Sequence, residues 1–174
     1  MLRFVTDPDL TPRLVADLID CWAEATNAGG AVGFVPPVTA DDVRPTAERT
    51  FARCGPGGPD HLLAGFDEDG APACWLVLAD NGSALRAHWR WVVRVMVHPK
   101  HQGKGYGAAL MRAAEDVARE QGAEALHLVC RGGTGVDAFY ARMGYREVGR
   151  IPGAIRVGPG DDREEIYLVK MLTR

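Results

Sequence analysis

The segment Val95 to Glu120, VMVHPKHQGKGYGAALMRAAEDVARE, constrains this chain more than any other. An apolar run ending at Val97 enters a basic loop with glycines at 103, 105 and 107. From Tyr106 to Gln121 the apolar set Leu110, Met111, Ala114, Val117 and Ala118 recurs at helical spacing, and Gly122 closes the helix. A second apolar run, ALHLVC, follows and ends at Cys130. A strand, crossover helix, strand unit is right-handed and parallel in nearly all known cases, so the strands ending at Val97 and Cys130 are expected to lie parallel in one sheet. Glycines let the backbone turn sharply and approach a ligand closely. The first N–H groups of the following helix are unpaired donors at a positive dipole end, so an anion belongs at this turn. Lys100, His101 and Lys104 add positive charge beside it.

The rest of the chain supplies the neighbours of that unit. Leu2 to Thr6 reads as a short strand, and Thr11-Pro12 is a cap followed by a first-turn proline for a helix ended by Gly29 and Gly30. GGAVGFVPPV is an apolar loop that is expected to lie over something. A second helix is expected from Thr39, with Pro45 bending or restarting it. HLLAGF and ACWLVLA read as strands joined by DEDGAP, and NGS as a hairpin into the strand ending at Val97. A short helix over Gly135 to Met143 and strands near Tyr145 to Ile151 and Glu165 to Leu172 close the chain. The expected architecture is one α/β (α+β) domain over residues 1–174: a mixed twisted sheet of about six or seven strands with about four helices.

Several ligands compete for the glycine turn, and the glycines could also serve the turn alone. A P-loop requires Lys-Ser/Thr after its second glycine, and Lys104 is followed by Gly105. Gly103, Gly105 and Ala108 satisfy the dinucleotide pattern G-x-G-x-x-G/A, but His98-Pro99-Lys100-His101-Gln102 intervene between strand and first glycine. The acidic residue expected at the end of the second strand is replaced by Arg131, which would suit a 2′-phosphate. Val97-His98-Pro99 followed by Gln102-Gly103-Lys104-Gly105-Tyr106-Gly107-Ala108 resembles the signature of the GCN5-related N-acetyltransferases (GNAT), V-x-P then [QR]-x-x-G-x-[GA]. FYARMGY is similar to a second element of that family, [LF]-Y-x-[KR]-x-G-[FYW]. The resemblance implies the GNAT fold, with the central parallel pair splayed at an acetyl-CoA site. It implies that the backbone of the Val95-Met96-Val97 strand end meets pantetheine and the thioester, and that the amides from Gln102 to Ala108 hold the pyrophosphate. It places Tyr140 where a tyrosine protonates the leaving thiolate, with a core aromatic as the alternative, and leaves Arg142 between a coenzyme phosphate and solvent. The flanks, GGAVGFVPPV and VGRIPGAIRVGPGDDREEIYLVKML, resemble the tabtoxin-resistance acetyltransferases, which implies a small amine-bearing metabolite or antibiotic as acceptor. A homodimer is also implied.

One departure from the family concerns proton removal. Many members carry a glutamate on the strand before V-x-P, and aligning back from Pro99 puts Trp91 in that slot. His88, His127, Glu164 and Glu165 are the replacement candidates for a base, His88 being the working choice, with a water chain as the alternative. Trp89 and Trp91 share one side of their strand, and Phe34 could meet them in an aromatic wall for the acceptor or in plain packing. The other classes considered are a peptide N-acetyltransferase and a coenzyme A-binding sensor without turnover.

Composition narrows the partners. Twenty Lys and Arg against twenty-three Asp and Glu, a net charge of −3, give no general attraction to nucleic acid or anionic membrane. Four cysteines, Cys21, Cys54, Cys74 and Cys130, lie far apart without a C-x-x-C pair, which predicts free buried thiols and no metal site. The N-terminus lacks the apolar run of a signal peptide or membrane span, so a cytoplasmic enzyme without a membrane partner is expected.

Overall fold

The Thr11 hydroxyl accepts a hydrogen bond from the Leu14 N–H at 3.2 Å, and with Pro12 at the first position the helix α1 runs Pro12–Asn27. The computed structural model describes residues 2–172. Around α1 it sets β1 (Arg3–Thr6), α2 (Ala40–Phe51), β2 (His61–Phe66), β3 (Pro72–Ala79), β4 (Trp89–Val97), α3 (Tyr106–Glu120), β5 (Ala125–Arg131), α4 (Val136–Arg142), β6 (Arg146–Gly158) and β7 (Asp161–Met171). The seven strands form one mixed sheet in the order β1-β2-β3-β4-β5-β7-β6. Its neighbours are antiparallel except β4 and β5, which are parallel as the crossover rule requires.

Strand alternation divides the core between the two faces of this sheet. On β3, Cys74, Leu76 and Leu78 pack with Leu110, Met111, Ala114 and Ala118 of α3. Trp75 and Val77 turn to the opposite face and meet Leu18, Ile19 and Trp22 of α1 with Val43 and Ala47 of α2. Each of these fully buried large side chains contributes on the order of 1.5–3 kcal/mol.

At the centre of the sheet the alternation breaks on β4. Val92, Val95 and Val97 belong to the α3 face, whereas Val93 and Met96 belong to the α1 face. Trp75 pairs with Met96 and Val77 with Val93, so three steps along β4 oppose two along β3. The extra residue is Arg94, held at φ +59°. This is a β-bulge, which bends its strand and strengthens local twist. On the other side of β4 only Trp89–Trp91 pair with β5, against Ala125–His127, although both strands run on to Val97 and Arg131. Beyond the pairing the two strands part, and the gap between them is the central feature of the fold.

The structure sharpens three local expectations. NGS does not form a tight hairpin: a 3-10 turn at Ala84–Arg86 lengthens the connection, and β4 begins only at Trp89. Helix α2 neither stops nor restarts at Pro45, which lies in its second turn and removes a single backbone donor. Its start is secured by a reciprocal cap, with Asp42 accepting from Thr39 N–H at 2.8 Å and Thr39 Oγ1 accepting from Asp42 N–H at 3.3 Å. Strand β7 begins at Asp161, ahead of the expected Glu165, and arginines neutralise its acidic start: Arg156 grips Asp162 at 2.7 and 2.8 Å and Arg163 grips Asp161.

Candidate active site

The glycine turn is built to receive an anion. Pro99–His101 form a 3-10 turn, so the five-residue lead between strand and first glycine is a structured offset. Gly103 (φ +75°) and Gly105 (φ +80°) adopt left-handed conformations that glycine alone enters freely, and an added Cβ at either would meet nothing within 4 Å. The space beside them is therefore an open cradle. Gly105 caps α3 through its backbone and has no side chain to occupy the first N–H groups, which remain as donors. Gly107 serves packing: a Cβ there would stand 3.6 Å from Phe139 and Val97, where α3 meets α4 and the end of β4. Of the basic residues read beside the loop, Lys100 and His101 both face Asp67, at 3.9 and 3.2 Å, and Tyr106 stacks on His101 with centroids 5.5 Å apart.

A cleft of about 1150 Å³ runs from this cradle through the gap between β4 and β5 to the α1–α2 side of the sheet. His98 N–H binds the Ala73 carbonyl of β3 at 2.9 Å, so by alternation the polar backbone groups of Val97 and Val95 point toward the gap. Gln102 Nε2 donates to the Val97 carbonyl at 3.1 Å, which ties the loop to the strand end and leaves Val95 with open backbone groups. Met96 lines the cleft but is 3 % exposed and is turned to β3 and the α1 face. These open strand-edge groups and the glycine cradle together fit a coenzyme A thioester, pantetheine in the gap and pyrophosphate at the α3 terminus.

Tyr140 from α4 lines the same cleft. It is 6 % exposed, burial pushes its phenol well above the ordinary value near 10, and its hydroxyl has no hydrogen-bond partner among the described residues. A tyrosine in that state stays protonated and keeps a free donor at the cleft wall. Cys130 lies beside it in the lining, and burial lifts its thiol to about 11, which keeps it protonated and a poor nucleophile.

The remaining expected residues divide clearly. Gln102, Gly103, Gly105, Tyr106, Gly107 and Ala108 line the cleft, as do Phe34 and Trp91. Lys104 and Arg142 are exposed and outside the lining, and Trp89, half-buried in the paired part of β4, is outside it too. Phe34 packs edge-on to Trp22 at 5.6 Å and not against Trp89, while Trp91, 40 % exposed, stacks on His127 at 5.3 Å. His88 occupies the exposed turn before β4, away from the cleft, because the longer connection displaces it from the strand. His127 stands behind Trp91 with Nε2 on Asn81 Oδ1 at 2.8 Å, and burial followed by nearby Arg86 holds it below the usual imidazole range. Glu164 is committed to Arg150 at 2.8 Å. Glu165 alone of the four base candidates lines the cleft, where it accepts from the Tyr167 hydroxyl at 2.7 Å. Among the described residues no three His, Cys, Asp or Glu side chains gather as a metal site, and no helix is long and apolar enough to cross a membrane.

Sequence reading passed over Arg94, which lines the cleft from the bulge. A charge inside the run WVVRVMV was its visible signal. It also passed over the α2 residues Thr46, Arg49 and Thr50, whose approach to the cleft depends on tertiary packing.

With this geometry in view, the comparisons with known proteins are direct. The family model for the acetyltransferase (GNAT) family matches residues 22–145, and the chain belongs to that family. A provisionally assigned phosphinothricin N-acetyltransferase superposes with a TM-score of 0.81 at 19% identity, covering 100% of both chains. A provisionally assigned acetyltransferase from Salmonella typhimurium, solved with its cofactor acetyl-CoA, has a TM-score of 0.75 at 17% identity over 100% of this chain and 95% of its own. A ribosomal-protein-alanine N-acetyltransferase from Brucella melitensis has a TM-score of 0.74 at 16% identity, covering 99% of each chain. The protein is thus a GNAT acetyltransferase with acetyl-CoA as cosubstrate.

Proposed function

We propose that this acetyltransferase moves the acetyl group of acetyl-CoA directly onto a primary amine of a small molecule. One observation carries the reading: the apolar loop between α1 and α2 closes the acceptor end of the cleft, with Gly30 to Val35 in its lining. The loop is fastened there. Trp22 Nε1 donates to the Val32 carbonyl at 2.8 Å, and Asn27 both donates to the Val38 carbonyl at 2.8 Å and accepts from its N–H at 2.9 Å. A peptide acceptor needs an open groove at that place, and a small amine does not. The resemblance of the flanking segments to the tabtoxin-resistance enzymes supports the same class of acceptor.

In this reading the amides from Gln102 to Ala108 hold the pyrophosphate, and the backbone of Val95 aligns pantetheine and the thioester carbonyl. Acetyl-CoA supplies the activated acyl group. Tyr140 donates its proton to the departing sulfur, which its raised pKa and unpartnered hydroxyl suit. Glu165, through water, takes the proton that the amine must lose, in place of the glutamate that Trp91 replaces. The protonated Cys130 thiol leaves direct transfer as the simpler course. The enzyme is read as one cytoplasmic domain, homodimeric, without nucleic-acid or membrane partners. The test is thiol release from acetyl-CoA against a panel of small amines and a panel of peptides with free N-termini, with mass analysis of the products. Acetylated small amines are the expected result; turnover confined to the peptides would overturn the acceptor class, and no thiol release with either would overturn catalysis.

A further inference from the structure

Arg94 is a guanidinium without a carboxylate partner among the described residues, and it lines the acceptor half of the cleft. The bulge turns it to the α1 face, where its Cζ lies 4.9 Å over the Trp22 ring, and it lines the cleft. The opposite face of the sheet carries α3 and its glycine cradle, so Arg94 stands apart from the pyrophosphate position. No carboxylate pairs with Arg94 among the described residues, and no hydrogen bond from its side chain is formed with them. Burial lowers its pKa, yet arginine titrates so high that the charge persists at any working pH. Its guanidinium rests on the Trp22 ring, and a partly buried charge with neither a carboxylate nor a hydrogen-bond acceptor is costly to keep.

The surroundings are shaped to hold this guanidinium and to leave it unfilled. Gly33 has φ +96°, a conformation that favours glycine, and the loop lies so close to the guanidinium there that a Cβ would displace the end of the Arg94 side chain. Trp22, which supports the guanidinium, is itself fixed by its bond to the Val32 carbonyl. The carboxylates in the cleft wall are engaged elsewhere: Asp60 is gripped by Arg53 at 2.7 and 3.2 Å, and Glu165 accepts from Tyr167. Nearby on α2, Arg49 reaches only the Thr46 hydroxyl, at 3.0 Å. The acceptor half therefore offers positive charge and planar donors, an environment that repels a simple cationic amine and suits one that also bears an anion.

We propose that Arg94 receives a carboxylate on the acceptor, so that the substrate is an amino acid or a close analogue, with its amine directed to the thioester and its carboxylate to the bulge. This rests on the acceptor being a small amine. The experiment compares amino acids with their carboxamides, which keep the amine and remove the charge, on wild type, Arg94→Gln and Arg94→Lys. Two readouts are taken: kcat/KM by thiol release, and calorimetric binding to the protein loaded with coenzyme A. Acetyl-CoA affinity, measured on each variant, confirms that the cleft is intact. Wild type is expected to prefer at least one amino acid over its carboxamide by about tenfold to a hundredfold, the size of a charge-assisted hydrogen-bonded pair. Arg94→Gln is expected to lose that preference through KM, and Arg94→Lys to keep part of it. No preference in wild type, or a preference undiminished in Arg94→Gln, overturns the proposal. Should no amine be acetylated at all, the catalytic reading falls while the binding readout still decides this one: Arg94-dependent binding of the amino acid upholds it, and binding indifferent to Arg94 or to the carboxylate overturns it.

Discussion

Tyr140 differs from phenylalanine by one oxygen atom, and that oxygen is the part of the residue that no other described residue satisfies. Tyr140→Phe keeps the packing against Phe139 and Tyr145, at 5.1 and 5.7 Å between centroids, and removes the proton donor. Turnover is expected to fall about a hundredfold or more while acetyl-CoA affinity holds, as thiol release and calorimetry would show. An unchanged rate would return Tyr140 to the core. The buried thiols give a second residue-scale prediction. Burial is the main cause that raises Cys21 and Cys74 from 9.0 to about 12, so the folded state holds these protons more tightly than the unfolded chain. Their contribution is complete below pH 9 and is lost as pH rises toward 12, by about 1.4 kcal/mol per thiol for each pH unit. Urea denaturation should show stability falling between pH 8 and 10.5, and a flat profile there would contradict the burial. Tyr140 was legible in the sequence because its motif is local. Arg94 was not singled out, and Glu165 stood undistinguished among four base candidates, because one depends on the phase change at a bulge and the other on the register of β7 against β5, where Arg131 pairs with Glu165.

At the scale of elements, the glycine turn and the α1–α2 loop make separable contributions. Gly105→Val places a β-branched side chain at φ +80°, in open space, so the fold should survive while the cradle is distorted. Acetyl-CoA binding measured by calorimetry should weaken by about tenfold at least; undiminished affinity would remove the pyrophosphate from this turn. Asn27→Ala releases both hydrogen bonds to Val38, at a cost of about 1–3 kcal/mol. The loop should loosen over the acceptor end, so KM for the amine should rise several-fold while acetyl-CoA affinity is kept, and a rise in the coenzyme Kd of equal size would deny the separation. The helices were legible because caps and apolar spacing are written in the chain, as at Thr11-Pro12 and Gly122. The connection after NGS was not, since Asn81 uses its side chain on the Trp89 carbonyl at 2.8 Å and on His127, bonds that no hairpin rule anticipates.

At the scale of the whole molecule, the cleft follows from an interruption at the centre of the sheet. A parallel pair in the middle of an antiparallel array brings the N-terminus of α3 to the end of β4, and the bulge at Arg94 accompanies the parting of β4 from β5. The crossover rule made the parallel pair legible, whereas the extent of the gap came only from the family resemblance, because three paired residues and seven read alike in a sequence. Whether that gap and its glycine turn take coenzyme A is decided by the melting temperature with acetyl-CoA, with NADPH as the control nucleotide. At a hundredfold excess over Kd, linkage gives about 2.7 kcal/mol, a rise of roughly 5–11 °C for a chain of this size. The account predicts that rise with acetyl-CoA and none with NADPH; a flat response to acetyl-CoA beside a rise with NADPH would make the glycine turn a dinucleotide site and contradict it.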